Sequence, residues 1–277
     1  MLKTRIITAL ILLAVLLPVL FFNLFPAFAA IATVFFGAAV WESFRLFQNR
    51  HAPLVAACCT AAFVYLFFFG ADAARGRLWF ALCAAIWLIR FVPALGLGLP
   101  ALAGRGNTLL SMVYCVAIVG CFAAIVALFR HSPIYLLSVL ALVWIADVGA
   151  YFSGKAFGRR KLAPSISPGK SWEGAIGGGI AVLSLAAVSV ALAPGHALLQ
   201  DTFAVHLQST LGWGAFVGVL LVIVAASVVG DLFESMLKRR AGVKDSSQLL
   251  PGHGGVLDRI DALIPVLPLA ALLGAWL

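Results

Sequence analysis

Between Asp231 and Asp261 the chain carries residues whose types and spacing suit phosphate chemistry around a bound cation. Asp231, Glu234, Ser235 and Lys238 fall at i, i+3, i+4 and i+7, so on a helix they share one face about 100° wide. The preceding Leu220 to Gly230 is apolar, which puts Asp231 at or below a membrane interface. An unpaired carboxylate is costly there, and a cation would remove the cost. A polar turn with Lys244 and Asp245 follows, then Pro251-Gly252-His253-Gly254-Gly255, then Asp258, Arg259 and Asp261 at the start of the last helix. Glycines at 252, 254 and 255 let the backbone approach a ligand and offer N–H groups to phosphate oxygens, although an ordinary turn accounts for them as well. Asp258 and Asp261 suit a helix N-terminus as dipole partners. With Asp231 they also supply the hard oxygen ligands that Mg²⁺ takes when a substrate phosphate completes its octahedron. Lys238, Arg239, Lys244 and Arg259 are interleaved with them and would neutralise phosphate charge. Carboxylates for a metal beside cations for phosphates are the equipment of phosphoryl or nucleotidyl transfer.

An earlier stretch repeats the theme. Asp147 stands near the end of an apolar helix, followed by Tyr151, Lys155, Arg159-Arg160-Lys161 and a segment containing Ser167, Lys170, Ser171 and Glu173. This loop reads as a second wall facing the substrate. Ser171 with Glu173 fits a helix start equally well, and Gly177 to Gly179 fit close helix packing.

The elements that must position these groups are membrane helices. Of 277 residues 64% are hydrophobic and 10% charged, where a soluble domain carries roughly 25% charged. Apolar runs of about 17 to 25 residues recur, each long enough to cross a hydrocarbon core of about 30 Å as a helix. They are apolar on every face, which excludes a transmembrane barrel. The fold class is therefore all-α, a polytopic transmembrane bundle of about nine helices with the N-terminus cytoplasmic. The expected spans are Ile6 to Phe22, Pro26 to Leu46, Pro53 to Gly70, Leu78 to Phe91, Thr108 to Phe129, Pro133 to Ser153, Trp172 to Ala193, Leu211 to Lys238 and Ile260 to Leu277. Ile6 to Phe22 lacks a small-residue cleavage site and reads as a retained helix rather than a signal peptide. With this topology Lys3, Arg5, Arg45, Arg50, Arg90, Arg105 and the 155–170 and 238–259 loops are cytoplasmic, and only Arg75, Arg77 and Arg130 fall outside.

The net charge of +9 resides in short loops, where anionic headgroups explain it better than nucleic acid. Cys58, Cys59, Cys83, Cys115 and Cys121 lie in apolar runs without zinc-like spacing and read as packing residues. His196, Asp201 and His206 read as ordinary residues of an external loop. No internal repeat is evident, which disfavours a transporter built from two similar halves. The chain divides into N-terminal helices, residues 1–140, and a C-terminal catalytic region, 141–277, within one integrated membrane domain.

The run Ser235-Met-Leu-Lys-Arg-Arg-Ala-Gly-Val-Lys-Asp-Ser-Ser-Gln-Leu-Leu-Pro-Gly-His-Gly-Gly-Val-Leu-Asp-Arg-Ile-Asp261 resembles the signature of the phosphatidate cytidylyltransferase (CDP-diacylglycerol synthase) family. Asp147, Tyr151, Gly154, Phe157-Gly158, Lys161-Leu162, Ser167-Pro168, Lys170 and Glu173-Gly174 are similar to that family too, so the resemblance covers roughly Trp144 to Leu277. Ser171 stands where threonine is frequent and keeps the hydroxyl. Gly169 stands where a polar residue is common. The resemblance implies the reaction of CTP with phosphatidic acid to give CDP-diacylglycerol and pyrophosphate, with Mg²⁺ and a monovalent cation such as K⁺. It also implies a bacterial inner (cytoplasmic) membrane protein whose active site faces the cytoplasm. Its partners would be CTP, phosphatidic acid and membrane lipids, with a homodimer compatible and nucleic acid not expected.

In that reading Asp231 and Asp258 bind the metal with Asp261 in support, and Lys238, Arg239 and Arg259 hold phosphates. Ser235 adds a ligand or hydrogen bond, and His253 orients a phosphate or stabilises its loop. Lys244, Gly254, Gly255, Asp147, Lys155, Ser167, Lys170 and Glu173 complete the substrate-binding set. A phosphatidate oxygen is already an anion, so alignment and charge neutralisation suffice without an enzyme nucleophile. The rival readings are a CTP-dependent polyprenol or lipid kinase, and an ion-coupled transporter using Asp147 and Asp231 for translocation.

Overall fold

In lipid every backbone N–H and C=O must be satisfied within the protein, so runs that are apolar on all sides settle as helices. The structure, a computed structural model, describes the backbone of residues 2–69 and 73–274. The helix ends expected at Gly70 and Leu277, and the side chains of Lys3, Arg5 and Arg75, lie outside the described residues. Helices α1 (Leu2–Phe21), α2 (Phe25–Leu46) and α3 (Ala52–Phe69) are followed by α4 (Ala73–Ile86), which continues through a π-helical turn (Trp87–Phe91) into α5 (Val92–Leu97). Then come α6 (Arg105–His131), α7 (Pro133–Phe157), α8 (Trp172–Leu192), α9 (Ala197–Gln200), α10 (Phe203–Arg240), α11 (Leu257–Ile260) and α12 (Leu263–Gly274). Among the described residues six helices are long and apolar enough to cross a membrane: Phe25–Leu46, Gly76–Leu97, Arg105–His131, Pro133–Phe157, Trp172–Gly195 and Phe203–Arg240. Leu10, Val34, Leu88, Ile180 and Leu221 face outward, as lipid contact requires. The chain is a helical integral membrane protein.

Two segments depart from the sequence expectation. The 155–171 loop contains an antiparallel hairpin, β1 (Lys161–Ala163) and β2 (Ser167–Ser171), with Lys161 opposite Ser171 and Ala163 opposite Ser167. A helical stretch from Phe203 precedes the span expected from Leu211, and the two join in α10 across a kink at Gly212, whose backbone is non-helical (φ 73°, ψ 175°). Only glycine takes that φ cheaply. The start of α10 is tied down by Asp201, which accepts from Ser132 Oγ and stands 3.7 Å from His206 Nε2. The five cysteines are free, and Cys83, Cys115 and Cys121 are buried.

Glycine governs the packing around the polar centre. A Cβ on Gly178 would lie 2.6 Å from the Ala146 carbonyl oxygen, and one on Gly174 would lie 2.9 Å from that of Ala150. α7 and α8 therefore touch backbone to backbone, as small residues allow in membranes. At Gly230 a Cβ would fall 2.4 Å from the Asp261 carbonyl oxygen, so this glycine lets α10 press against the start of the last helices. Below them Phe91, Tyr114 and Phe233 form a buried aromatic cluster, with Phe91 and Phe233 ring centroids 4.5 Å apart.

Candidate active site

The ends of α7, α8 and α10, the hairpin and α11 enclose a cavity of about 590 Å³. Of the residues singled out from sequence, Asp147, Tyr151, Lys155, Ser167, Lys170, Asp231, Asp258, Arg259 and Asp261 line it. A larger groove of about 770 Å³ lies between α2 and α3 over Gly37, Ala56 and Thr60, but no acid or base lines it. It is therefore unsuited to phosphate chemistry.

Asp231 is the centre of the cavity's charge. Lys170 from β2 brings its Nζ to 2.6 Å from Asp231 Oδ2, and Ser235 Oγ donates to Oδ1 at 3.2 Å. Asp261 accepts from the Ala262 N–H at 2.8 Å. Ser171 caps α8 by accepting from the Gly174 N–H at 3.1 Å, while Glu173 accepts from the N–H groups of Arg159 and Arg160 at 3.1 and 3.2 Å. Arg160 Nε adds a contact of 3.2 Å to Glu173. Glu173 thus fixes the entry to the hairpin and stands outside the cavity lining, leaving Lys155, Ser167 and Lys170 to face inward.

Lys238 also stands outside the lining. Its ammonium pairs with the fully buried Glu234, one turn back on α10, and lies 2.5 Å from Asp258 Oδ1. Asp258 Oδ2 accepts from the Ser246 N–H, Ser246 Oγ and the Gly255 N–H, each at 2.8 Å. Burial alone would raise the Asp258 carboxyl, but the donors from Lys238, Gly255 and Ser246 outweigh it and hold its pKa below the ordinary aspartate value. The glycine-rich turn serves this carboxylate closely: a Cβ on Gly254, where φ is +84°, would lie 2.8 Å from Asp258 Oδ2. His253 contributes its carbonyl, which accepts from Arg259 Nε at 3.0 Å and Nη2 at 2.6 Å. Arg239 and Lys244 are exposed outside the cavity.

A residue that sequence reasoning passed over underlies the loop. Glu42, on α2 and 0% exposed, accepts from Ser247 Oγ at 2.5 Å, the Val256 N–H at 3.0 Å and the Leu257 N–H at 2.6 Å, and it shares with Asp258 the single proton of Ser246 Oγ, 3.1 Å away. A Cβ on Gly255 would sit 2.4 Å from Glu42 Oε1, so glycine there makes room for the carboxylate. The N–H groups of residues 255 to 257 are accordingly taken by the protein's own carboxylates. The signal was present: Glu42 is the one acid in the apolar run Pro26 to Leu46, the same criterion that singled out Asp147.

Among the described residues no three His, Cys, Asp or Glu side chains gather closely enough to hold an ion by themselves. The acids that share the cavity still fit Mg²⁺, which is usually held by one or two carboxylates together with waters and substrate phosphates. Lys170 beside Asp231 marks the position as one that attracts a cation.

The Cytidylyltransferase family matches residues 3–277 of the chain. A phosphatidate cytidylyltransferase of Haemophilus influenzae is 39% identical over 289 residues, covering 97% of this chain and 96% of that protein. One from Pseudomonas aeruginosa is 39% identical over 287 residues, covering 99% and 98%. One from Brucella suis is 46% identical over 139 residues, covering 50% of this chain and 45% of its own. With a match over nearly its whole length, the chain belongs to the cytidylyltransferase family.

Proposed function

We propose that this protein transfers the cytidylyl group of CTP to phosphatidic acid, forming CDP-diacylglycerol and pyrophosphate for phospholipid synthesis. The observation that carries this reading is the end-to-end similarity to two phosphatidate cytidylyltransferases. The cavity supports it, combining acids suited to a metal with cations suited to phosphate at the end of a membrane helix.

In the reaction a phosphatidate oxygen attacks the α-phosphorus of CTP, and the bond to the β-phosphate oxygen breaks so that pyrophosphate leaves with its electron pair. Lys170, Arg259 and Lys155 neutralise phosphate charge, and Asp147 completes the wall opposite Asp231. Asp231 and Asp261 would hold Mg²⁺; Asp258, expected from sequence as a principal ligand, has its oxygens taken by Lys238, Ser246 and Gly255 and would support the site from behind. The bound ion supplies Lewis-acid stabilisation of the charge that develops on the phosphates. Lys238, spent between Glu234 and Asp258, works through Asp258 as a positioning residue. Taking α1, α3 and the α11–α12 segment as crossings beside the six long helices would make nine. With the N-terminus inside, the hairpin and the 238–259 loop then face the cytoplasm of a bacterial inner membrane.

Purified protein given labelled CTP and phosphatidic acid should yield a CDP-lipid and pyrophosphate, and only with Mg²⁺ present. Release of CDP with a phosphorylated lipid would instead mark a kinase, and solute uptake without CTP turnover a transporter.

A further inference from the structure

The cavity changes character along its length. Around Asp147, Lys170, Asp231 and Asp261 it is charged, but its remaining wall toward the middle of the spans is built from Ala146 of α7, Gly178 of α8 and Val224 and Val228 of α10. Ser227 of α10 is the polar side chain in that apolar part. It is 1% exposed, and its hydroxyl has no hydrogen-bond partner among the described residues. A helical serine or threonine commonly returns its hydroxyl to the carbonyl four residues back. Ser189 does so to Leu185, Thr33 to Ala29 and Thr60 to Ala56. Ser227 makes no such bond, and a buried hydroxyl without a partner is the kind of group that a ligand completes.

Ser227 precedes Asp231 by about one helical turn, roughly 6 Å along α10, and on the same face. It therefore stands on the bilayer side of the acidic centre. A lipid whose phosphate lies at the acids places its glycerol, and then the carbonyls of its acyl esters, along that direction. The wall that the cavity presents there, Ala146, Gly178, Val224 and Val228, carries no charged group.

We propose that Ser227 forms a subsite for the acceptor lipid, donating its hydroxyl to an acyl-ester carbonyl and so selecting ester-linked over ether-linked chains. The subsite rests on the reading that a phosphatidate is the acceptor. Its test uses the full-length protein in mixed micelles with diacyl phosphatidate and with its dialkyl ether analogue, which keeps the phosphate but lacks both carbonyls. Equilibrium binding of each lipid is measured without CTP, and CDP-lipid formation with it. The wild type should bind the diacyl form about 3- to 10-fold more tightly, the worth of one hydrogen bond. Ser227→Ala should bind both lipids as the wild type binds the ether, and Ser227→Thr, which keeps the hydroxyl, should retain the preference. A preference unchanged in Ser227→Ala, an equal loss for both lipids, or no preference in the wild type would overturn the subsite. Because the ether analogue makes no use of the hydroxyl, its binding to Ser227→Ala at the wild-type level reports that the site is intact. Ester-selective binding that Ser227→Ala abolishes, without CDP-lipid formed by the wild type, would leave the subsite standing and remove the proposed reaction.

Discussion

Asp231 and Glu42 are both acids in apolar helices, and their surroundings differ in kind. Asp231 lines the cavity, and the groups on its oxygens are the tips of two side chains, Lys170 and Ser235. Glu42 is wholly buried and receives one hydroxyl, a share of a second and two backbone N–H groups of one loop. A lysine tip swings aside at modest cost, so Asp231 can exchange its partner for another cation. Backbone donors are fixed by the chain, so Glu42 is committed. Glu234 and Asp258 belong with Glu42, since both clasp Lys238. An acid in a membrane helix is thus assigned its work by the mobility of its donors rather than by its own chemistry.

That contrast predicts different failures. Lys238→Met strips two carboxylates of their shared cation and leaves Glu234 buried with its charge uncompensated, a loss on the order of 3–5 kcal/mol of stability. Thermal unfolding in detergent should register it, and an unchanged midpoint would remove Lys238 from the supporting network. Asp231→Asn should lower kcat by about 100-fold or more, as deletion of a charge-stabilising group in an active site does, while the unfolding midpoint stays close to wild type. Near-normal Mg²⁺-dependent turnover in this variant would dissolve the distinction from the other side. Glu42→Gln should fall between them. Its amide NH₂ must face a donor where a carboxylate oxygen stood, costing about 1–3 kcal/mol. Turnover should fall about tenfold with KM for CTP little changed, because the loop that carries Asp258 is displaced rather than a substrate contact removed. A fully stable and active Glu42→Gln would show that the loop holds itself.

The residues that face the cavity were legible in the sequence because they break strong local patterns. Asp147 and Asp231 interrupt apolar helices, and Asp258 with Asp261 opens the last one. The pairing of Glu234 with Lys238 follows from their i, i+4 spacing. The second partner of Lys238 does not, since Asp258 belongs to another helix. Glu42 meets Ser246 across 204 positions, a separation that no periodicity spans. The hairpin was hidden for another reason. Ser167-Pro168-Gly169-Lys170-Ser171 has none of the alternation of a half-buried strand, and its pairing is imposed by the helix ends that it joins. Sequence thus located the groups facing the cavity better than the scaffold behind them, because scaffold contacts form between segments far apart in the chain.

The glycine seam between α7 and α8 has a mechanical consequence. Backbones already in contact cannot close further, and parting them would open carbonyl-lined space to lipid. Asp147, Tyr151 and Lys155 ride on one member of this pair, and Lys170 is anchored to the other through the Ser171 cap. Together they form a fixed jaw, so the spacing between Lys170 and the α7 groups is set by the seam rather than by what occupies the cavity.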